Sequence, residues 1–272
     1  VQQVAEAVKP EANGQRQGLV PAKTKVIALL TPTLGMVSIH WCVAMQNLIW
    51  PMNIGRGFIP AMDQVGNEVG EMRNKLVALS LEQAEKSNND LEGILWVDDD
   101  VIVSKLALLQ LVSHDRDIAS GVYFCKGDLG EPLIFAGGQA GTMKFRPDET
   151  FEAWGWAQGL SYVRAEVYKR MAEDLDLGKD KYGNPQWYKK PDFGINEITG
   201  QMTIGGTEDF HFFANANKLG YRCLVDCSKH AFGWHYDHRL HAAYPRKQWE
   251  QFIRREPVVW PKTGSHSEVI WD

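Results

Sequence analysis

The sequence is short of the features that would assign it to a special class. It has 4 cysteines in 272 residues, at Cys42, Cys125, Cys223 and Cys227. Their uneven spacing excludes a disulfide scaffold and points to a reducing, cytoplasmic setting. No run approaches the ~18 apolar residues of a membrane span, so no integral membrane segment is expected. The polar N-terminal residues lack the apolar core of a secretory signal. Internal repeats and low-complexity tracts are missing as well. A net charge of -5 leaves no overall basic field to draw in nucleic acid or an anionic membrane.

What remains is ordinary globular material. With 44% hydrophobic and 23% charged residues, the chain has enough apolar side chains for one large α/β domain. Residues 1–21 are polar and read as a flexible N-terminal arm. Residues 22–244 carry the folded domain, and 245–272 a C-terminal helix and tail packed on it.

The patterning along the domain alternates strand and helix. Strands are expected over Lys25–Leu30, Gly57–Met62, Ile94–Val97, Ile118–Tyr123 and Tyr221–Val225. Helices are expected over Ser38–Leu48, Val69–Lys86, a segment with Leu106, Leu109 and Val112 as its apolar stripe, Ala165–Leu175, Thr207–Lys218 and Pro245–Arg255. Such alternation predicts a mostly parallel central sheet flanked by crossover helices. Between Gly178 and Gly200 a long polar loop carries Tyr182, Trp187, Tyr188 and Phe193, and loops of that size are commonly functional.

The chain is organised around Gly93–Ile102, where the apolar run Ile94-Leu95-Trp96-Val97 ends in Asp98, Asp99 and Asp100. Ligands of open α/β sheets sit outside the carboxyl ends of strands. Three carboxylates there repel one another, so a bound Mn²⁺ or Mg²⁺, completed by substrate phosphates, is expected to hold them. The plainer alternative is an acidic turn capping the following helix.

Other segments add chemistry. Gly205-Gly206-Thr207-Glu208-Asp209 puts two carboxylates at a helix start, suited either to general-base work or to simple capping. The segment Asp226 to His241 holds His230, His235, His238 and His241, and one imidazole from here can complete a metal shell begun by Asp100, although a surface or structural role is the plainer reading for any single one. Cys223, Cys227, His230 and His235 also invite a zinc reading, although their spacing lacks the loop of a familiar finger. Arg73, beside Asn74, can grip a diphosphate or one of the aspartates. Arg239, Arg246, Lys247, Arg254 and Arg255 can meet phosphates of DNA or a membrane, or simply form a solvated face.

Taken together these residues resemble the GT-A class of nucleotide-sugar glycosyltransferases, in particular the soluble family-2-like kind of phages and bacteria. The likeness runs through four blocks in order. They are Val26–Thr33, Arg73–Val77 with Leu95–Asp100 as an Asp-x-Asp motif, Gly155–Arg164, and Gly206–Phe210 with Gly220–Asp226 and a following histidine.

The resemblance implies a GT-A fold, a donor of the UDP-sugar type and Mn²⁺ or Mg²⁺. It places Thr31 and Thr33 at the nucleobase, and Arg73, Asp98 and Asp99 on the donor. Asp98, Asp100 and His235 would bind the metal. Asp209 would be the base of an inverting transfer, with Glu208 beside it, and Gln158, Gly159 and Trp187 would face the acceptor. That acceptor carries a hydroxyl and includes a modified DNA base or a cytoplasmic glycan among its options.

Two departures stand out. The segment after Asp226 is longer than usual before His235, and no strand ends in a base-holding aspartate unless Asp63 serves. Two rival classes remain: a haloacid-dehalogenase-like Mg²⁺ phosphatase with Asp98 as nucleophile, and a non-catalytic sugar- or nucleic-acid-binding module.

Overall fold

Alternating strand and helix patterning yields an α/β domain with a central sheet. The structure is a computed structural model that describes residues 23–33, 35, 37–51, 55–58, 68–126, 132–135, 148–190, 194–195, 202–203 and 207–244. The chain begins with β1 (Thr24–Leu30), α1 (Ile39–Asn47), β2 (Gly55–Phe58), α2 (Val69–Lys86), β3 (Asn89–Val97), β4 (Val101–Val103), α3 (Ala107–Ser113) and β5 (Ile118–Gly121). Short strands follow: β6 (Ile134–Phe135), β7 (Thr150–Ala153), β8 (Gly155–Trp156) and β9 (Leu160–Arg164), then α4 (Ala165–Asp174). The last elements are β10 (Gly194–Ile195), β11 (Met202–Thr203), α5 (Glu208–Lys218), β12 (Cys223–Asp226), β13 (Gly233–Asp237) and β14 (Ala242–Tyr244).

Seven strands form the main sheet in the order β2-β1-β3-β9-β5-β12-β7. Strands β2, β1 and β3 are mutually parallel, as are β5 and β12. The expectation of a mostly parallel sheet needs correcting at β9, which lies antiparallel between β3 and β5, and at antiparallel β7 on the edge. Among the described residues no helix lies between β5 and β9, so no crossover unit imposes a parallel insertion there.

Strand β3 is the centre of both cores. Ile94, Leu95, Trp96 and Val97 are all fully buried, with Ile94 and Trp96 in one core cluster and Leu95 and Val97 in the other. That is the alternation a strand covered on both faces requires. Gly93 is fixed by packing, because a Cβ there would lie 2.6 Å from the Tyr162 ring on β9.

Several expected boundaries shift. Strand β2 starts two residues before Gly57, and residues 59–62 lie outside the described residues. Val101–Val103 is a strand, not the lead-in to a helix, and pairs with β13 in a small β14-β13-β4 sheet. Helix α3 therefore starts at Ala107 and buries Ala107, Leu108 and Leu111, leaving the expected stripe of Leu106, Leu109 and Val112 half-buried. In the long loop, Trp187 and Tyr188 are core residues, 2% and 1% exposed. The Pro245–Arg255 helix, residues 1–21, Asp63 and the basic residues Arg246, Lys247, Arg254 and Arg255 fall outside the described residues. Among those described, no helix is long and apolar enough to cross a membrane.

Candidate active site

The carboxyl ends of β1 and β3 stand side by side, with Leu30 paired to Trp96. The loop after β1 carries Thr31, buried with its Oγ1 unpartnered, and Thr33, whose Oγ1 accepts the Gly35 N–H at 3.0 Å. The turn after β3 holds Asp98, Asp99 and Asp100. Its backbone is fastened on several sides. Asp98 N–H donates to the Gly159 carbonyl at 3.1 Å, and Trp41 Nε1 of α1 donates to the Asp98 carbonyl at 2.9 Å. Gly159 N–H in turn donates to the Tyr123 hydroxyl at 2.8 Å.

Helix α2 supplies the organising cation. Arg73 is 1% exposed, and its Nη2 donates to Asp98 Oδ1 at 2.9 Å. Its Nε lies 3.5 Å from Glu208 Oε1 and 4.0 Å from Asp209 Oδ1. The guanidinium also rests 4.9 Å from the Trp96 ring and 5.7 Å from the Tyr188 ring, an arrangement that favours a planar cation. Asn74, the next residue, clips the loop by exchanging two hydrogen bonds with the Tyr188 backbone, each 2.8 Å. Arg73-Asn74 thus binds the acidic turn with one residue and the aromatic loop with the other.

One guanidinium faces three carboxylates, and the protonation states follow. Burial opposes the charge on Arg73, yet Asp98, Asp209 and Glu208 keep it firmly protonated. Burial pushes Asp98 up to about 6, with Arg73 opposing and Asp100 and Glu208 adding to the rise. Asp209 is 4% exposed, and burial, reinforced by Glu208, pushes it up to about 8 against the pull of Arg73. The N-terminus of α5 favours negative charge, but desolvation outweighs that preference here.

Asp209 accepts the Gln158 backbone N–H at 3.3 Å. A buried chain of groups leads away from it. Trp96 Nε1 donates to the Tyr168 hydroxyl at 2.7 Å, which meets the Tyr188 hydroxyl at 2.8 Å. The Tyr188 hydroxyl donates to Gln158 Oε1 at 2.5 Å. Asp209 Oδ1, Arg73 Nε and Nη1, and Gln158 Nε2 have no hydrogen-bond partner. Buried polar groups are seldom left so, and these four mark where a ligand or water would be received.

Asp100 is solved differently. Its Oδ2 accepts from Lys126 Nζ at 2.6 Å and lies 3.2 Å from His235 Nε2. Strand β13 brings His235 there by pairing it with Val101. Burial works against ionisation of Asp100, but His235 and Lys126 lower it to about 2. Within the chain itself, Arg73 faces Asp98 and Lys126 faces Asp100.

A divalent cation nonetheless fits part of this site. His235 Nδ1 lies 3.0 Å from the Phe124 carbonyl, an acceptor only, so that nitrogen carries a proton. In the neutral ring Nε2 is then a lone pair converging with Asp100 Oδ2, the disposition of metal-ligating histidines. Among the described residues no three His, Cys, Asp or Glu side chains group as a complete metal site. Asp98 gives its Oδ1 to Arg73. Asp100 and His235 would hold the ion, and a ligand's phosphate oxygens would complete it.

Other expected residues take structural positions. Trp187 donates from Nε1 to the Tyr168 carbonyl at 2.8 Å inside the core, so it lines no open acceptor pocket. Cys223 and Cys227 are buried thiols whose acidity burial suppresses, which argues against the zinc reading. Asp226 accepts from Gln110 at 2.9 Å and meets His114 at 2.6 Å, tying β12 to α3. Asp99 is half-buried in the turn, and His230 and His238 are half-buried too. Lys126 and Tyr123 were missed by sequence reasoning. Nothing in their immediate sequence announces them, since the contacts come through β4, β9 and β13.

No protein-family model and no curated protein sequence matches the chain. Among solved structures it is similar to the "Crystal Structure of A197 from STIV", at 13% identity and a TM-score of 0.48, covering 78% of this chain and 86% of that one.

Proposed function

We propose that the protein is a divalent-cation-dependent glycosyltransferase of the GT-A type that moves a sugar from a nucleoside-diphosphate donor, of the UDP-sugar kind, to a hydroxyl acceptor. The observation that carries this reading is the convergence of Asp98, Glu208 and Asp209 on the buried Arg73, where Asp209 Oδ1 and Arg73 Nε, 4.0 Å apart, both lack a hydrogen-bond partner among the described residues.

The parts assign themselves to roles. Thr31 and Thr33 flank the base, and Asp98 and Asp99 meet the donor. Asp100 and His235 would hold Mn²⁺ or Mg²⁺, whose contribution when bound would be to neutralise the diphosphate as a leaving group. Asp209 takes the acceptor proton as the hydroxyl oxygen bonds to the anomeric carbon. The bond from that carbon to the diphosphate oxygen breaks, and its electrons leave with the nucleoside diphosphate. Base action needs the ionised carboxylate, so transfer should rise with pH towards about 8, where Asp209 loses its proton. Gln158 forms the acceptor side through its unpartnered Nε2, and Gly159 holds the acidic turn beside it by accepting the Asp98 N–H.

The test is titration calorimetry of UDP and other nucleoside diphosphates with Mn²⁺, alongside product analysis of donor turnover. Wild type should bind with Mn²⁺ present, Asp100→Ala should not, and Asp209→Asn should bind but fail to transfer. Equal nucleotide binding by Asp100→Ala, or near-normal transfer by Asp209→Asn, would overturn the reading. A covalent beryllofluoride adduct on Asp98 would favour a phosphatase instead.

A further inference from the structure

Gln158 lies between β8 and β9 and is fully buried. Its backbone N–H donates to Asp209 Oδ2 at 3.3 Å. Its side-chain amide meets the Tyr188 hydroxyl through Oε1, while Nε2 has no partner among the described residues. Which of the two amide atoms is turned to Tyr188 decides what the site is offered. It is a carbonyl acceptor in one orientation and a pair of N–H donors in the other.

Proton counting along the buried row of Trp96, Tyr168, Tyr188 and Gln158 settles the orientation. The far end is the Trp96 indole, which can only donate, and it donates to the Tyr168 hydroxyl at 2.7 Å. Tyr168 has one proton of its own, and the Tyr188 hydroxyl lies 2.8 Å away to receive it. The Tyr188 proton is then left for Gln158 Oε1 at 2.5 Å, and every contact in the row is filled. If the amide is turned over so that Nε2 donates to Tyr188, one of the two hydroxyl protons loses its acceptor inside the core. A stranded buried donor is costly, so the row runs one way. Burial raises the acidity constants of both phenols well above their ordinary range, so neither becomes an anion that could accept the extra proton.

We infer that Tyr188 is a positioning residue for the candidate site: it locks the Gln158 amide with Nε2 as a donor, and so selects an incoming group that brings a lone pair, as a hydroxyl oxygen does. Naming that group as the sugar acceptor rests on the transferase reading. Tyr188 is itself held for the task. Its backbone exchanges two hydrogen bonds with Asn74, each 2.8 Å, and its ring stacks on Phe212 with centroids 5.1 Å apart. Sequence reasoning placed Trp187 on the acceptor side, but it is the neighbouring Tyr188 that reaches Gln158.

The test is NMR of the full chain carrying isotope-labelled glutamine, with the Gln158 signals assigned by their loss in Gln158→Met. Tyr188→Phe keeps the packed ring and removes the hydroxyl. The Gln158 side-chain carbonyl carbon should then move upfield, having lost its proton donor, while the Nε2 protons, which lose no partner, stay near their wild-type position. If instead the Nε2 protons move upfield and the carbonyl carbon does not, the amide donates to Tyr188 and the inference is overturned. The functional arm uses whichever UDP-sugar wild type turns over with Mn²⁺, with methyl glucoside as the hydroxyl probe. Tyr188→Phe should raise the KM for methyl glucoside roughly three- to tenfold, the scale of one neutral hydrogen bond, and leave UDP affinity unchanged. A purely structural tyrosine would lower the melting temperature and leave that KM where it was, and this result would also overturn the inference. If wild type turns over no UDP-sugar, the transferase reading falls, and the lock on the amide is judged by the carbonyl and Nε2 signals.

Discussion

Asp98 and Asp100 stand two residues apart in one turn, yet their surroundings drive their carboxyls in opposite directions. Asp98 shares a single buried guanidinium with Glu208 and Asp209 and rises to about 6. Asp100 has Lys126 at 2.6 Å and His235 at 3.2 Å and falls to about 2. The difference lies in the ratio of cations to carboxylates more than in distance, because both acids have a nitrogen within 2.9 Å. Excess negative charge in a desolvated place is the state most readily changed by an incoming cation. The Arg73 side is thus the responsive half of the site, and the Asp100 side the settled half.

The comparison breaks most severely at Arg73. Arg73→Met keeps the volume but leaves three acids without their cation, and removing one partner of a buried ionic cluster typically costs about 3–5 kcal/mol. Urea unfolding should register a loss of that order. Adding Asp98→Asn and Asp209→Asn should restore much of it, since the stranded charges then go. A Met variant as stable as wild type would show that the cluster is not organised by this cation.

Next in size is Gly159→Ala. The new methyl would lie 2.6 Å from the Tyr123 hydroxyl and 3.0 Å from Val101, both in packed core, so a cost of about 1–3 kcal/mol is expected. Asp98 should be disturbed as well, because its N–H is held by the Gly159 carbonyl. Thermal melts would read the first effect and nucleotide binding the second. Loss of binding with an unchanged melting temperature would contradict the packing argument.

Asp209→Asn sharpens the comparison through pH. The folded-state carboxyl is raised to about 8 from an ordinary 3.8, so between those values the folded protein binds a proton that the unfolded chain has released. The stabilisation from this group is complete below about 4 and disappears as pH rises through about 8. Wild type should therefore lose melting temperature across that window, and the Asn variant should show a flatter profile. Asp100 gives the opposite limb: with its pKa lowered to about 2, its contribution holds above about 4 and is lost as pH falls through about 2. Parallel profiles for wild type and Asp209→Asn would mean that Asp209 is ionised throughout.

The fold was largely legible because its strands and helices carry their own patterns. Helix α2 ends where Asn88, at φ 51°, gives the polar break before β3, and Ser38 caps α1 by accepting the Trp41 N–H at 3.0 Å. The antiparallel insertion of β9 was not legible. LSYVR is buried over Leu160–Val163, and an apolar run of that length reads the same in either direction. In the candidate site, residues adjacent in sequence were easy to nominate: Asp98, Asp100, Glu208 and Asp209. Arg73 was nominated through its chemistry, but that three carboxylates share it is a fact of three-dimensional packing. Trp187 was misplaced because an aromatic in a polar loop gives no sign of which way the loop folds. Here Asn74 pins the adjacent Tyr188 inward.

The smallest stability effect is expected at Lys126, and it probes the settled half directly. Lys126 is about one-third exposed, so losing its ion pair should cost less than about 1 kcal/mol. Its loss should matter far more to cations. Lys126 Nζ and His235 Nε2 approach the same oxygen of Asp100, while His235 Nδ1 must keep its proton for the Phe124 carbonyl. In Lys126→Gln the Asp100 oxygen and a neutral Nε2 present two lone pairs to each other with no positive group between them. Such a pair invites Mn²⁺, so calorimetry at constant pH should show several-fold tighter Mn²⁺ binding than wild type, and His235→Ala in the same background should remove the gain. If Mn²⁺ binds Lys126→Gln more weakly, the ammonium does not compete for the metal position, and His235 stabilises Asp100 as an imidazolium instead of serving as a ligand.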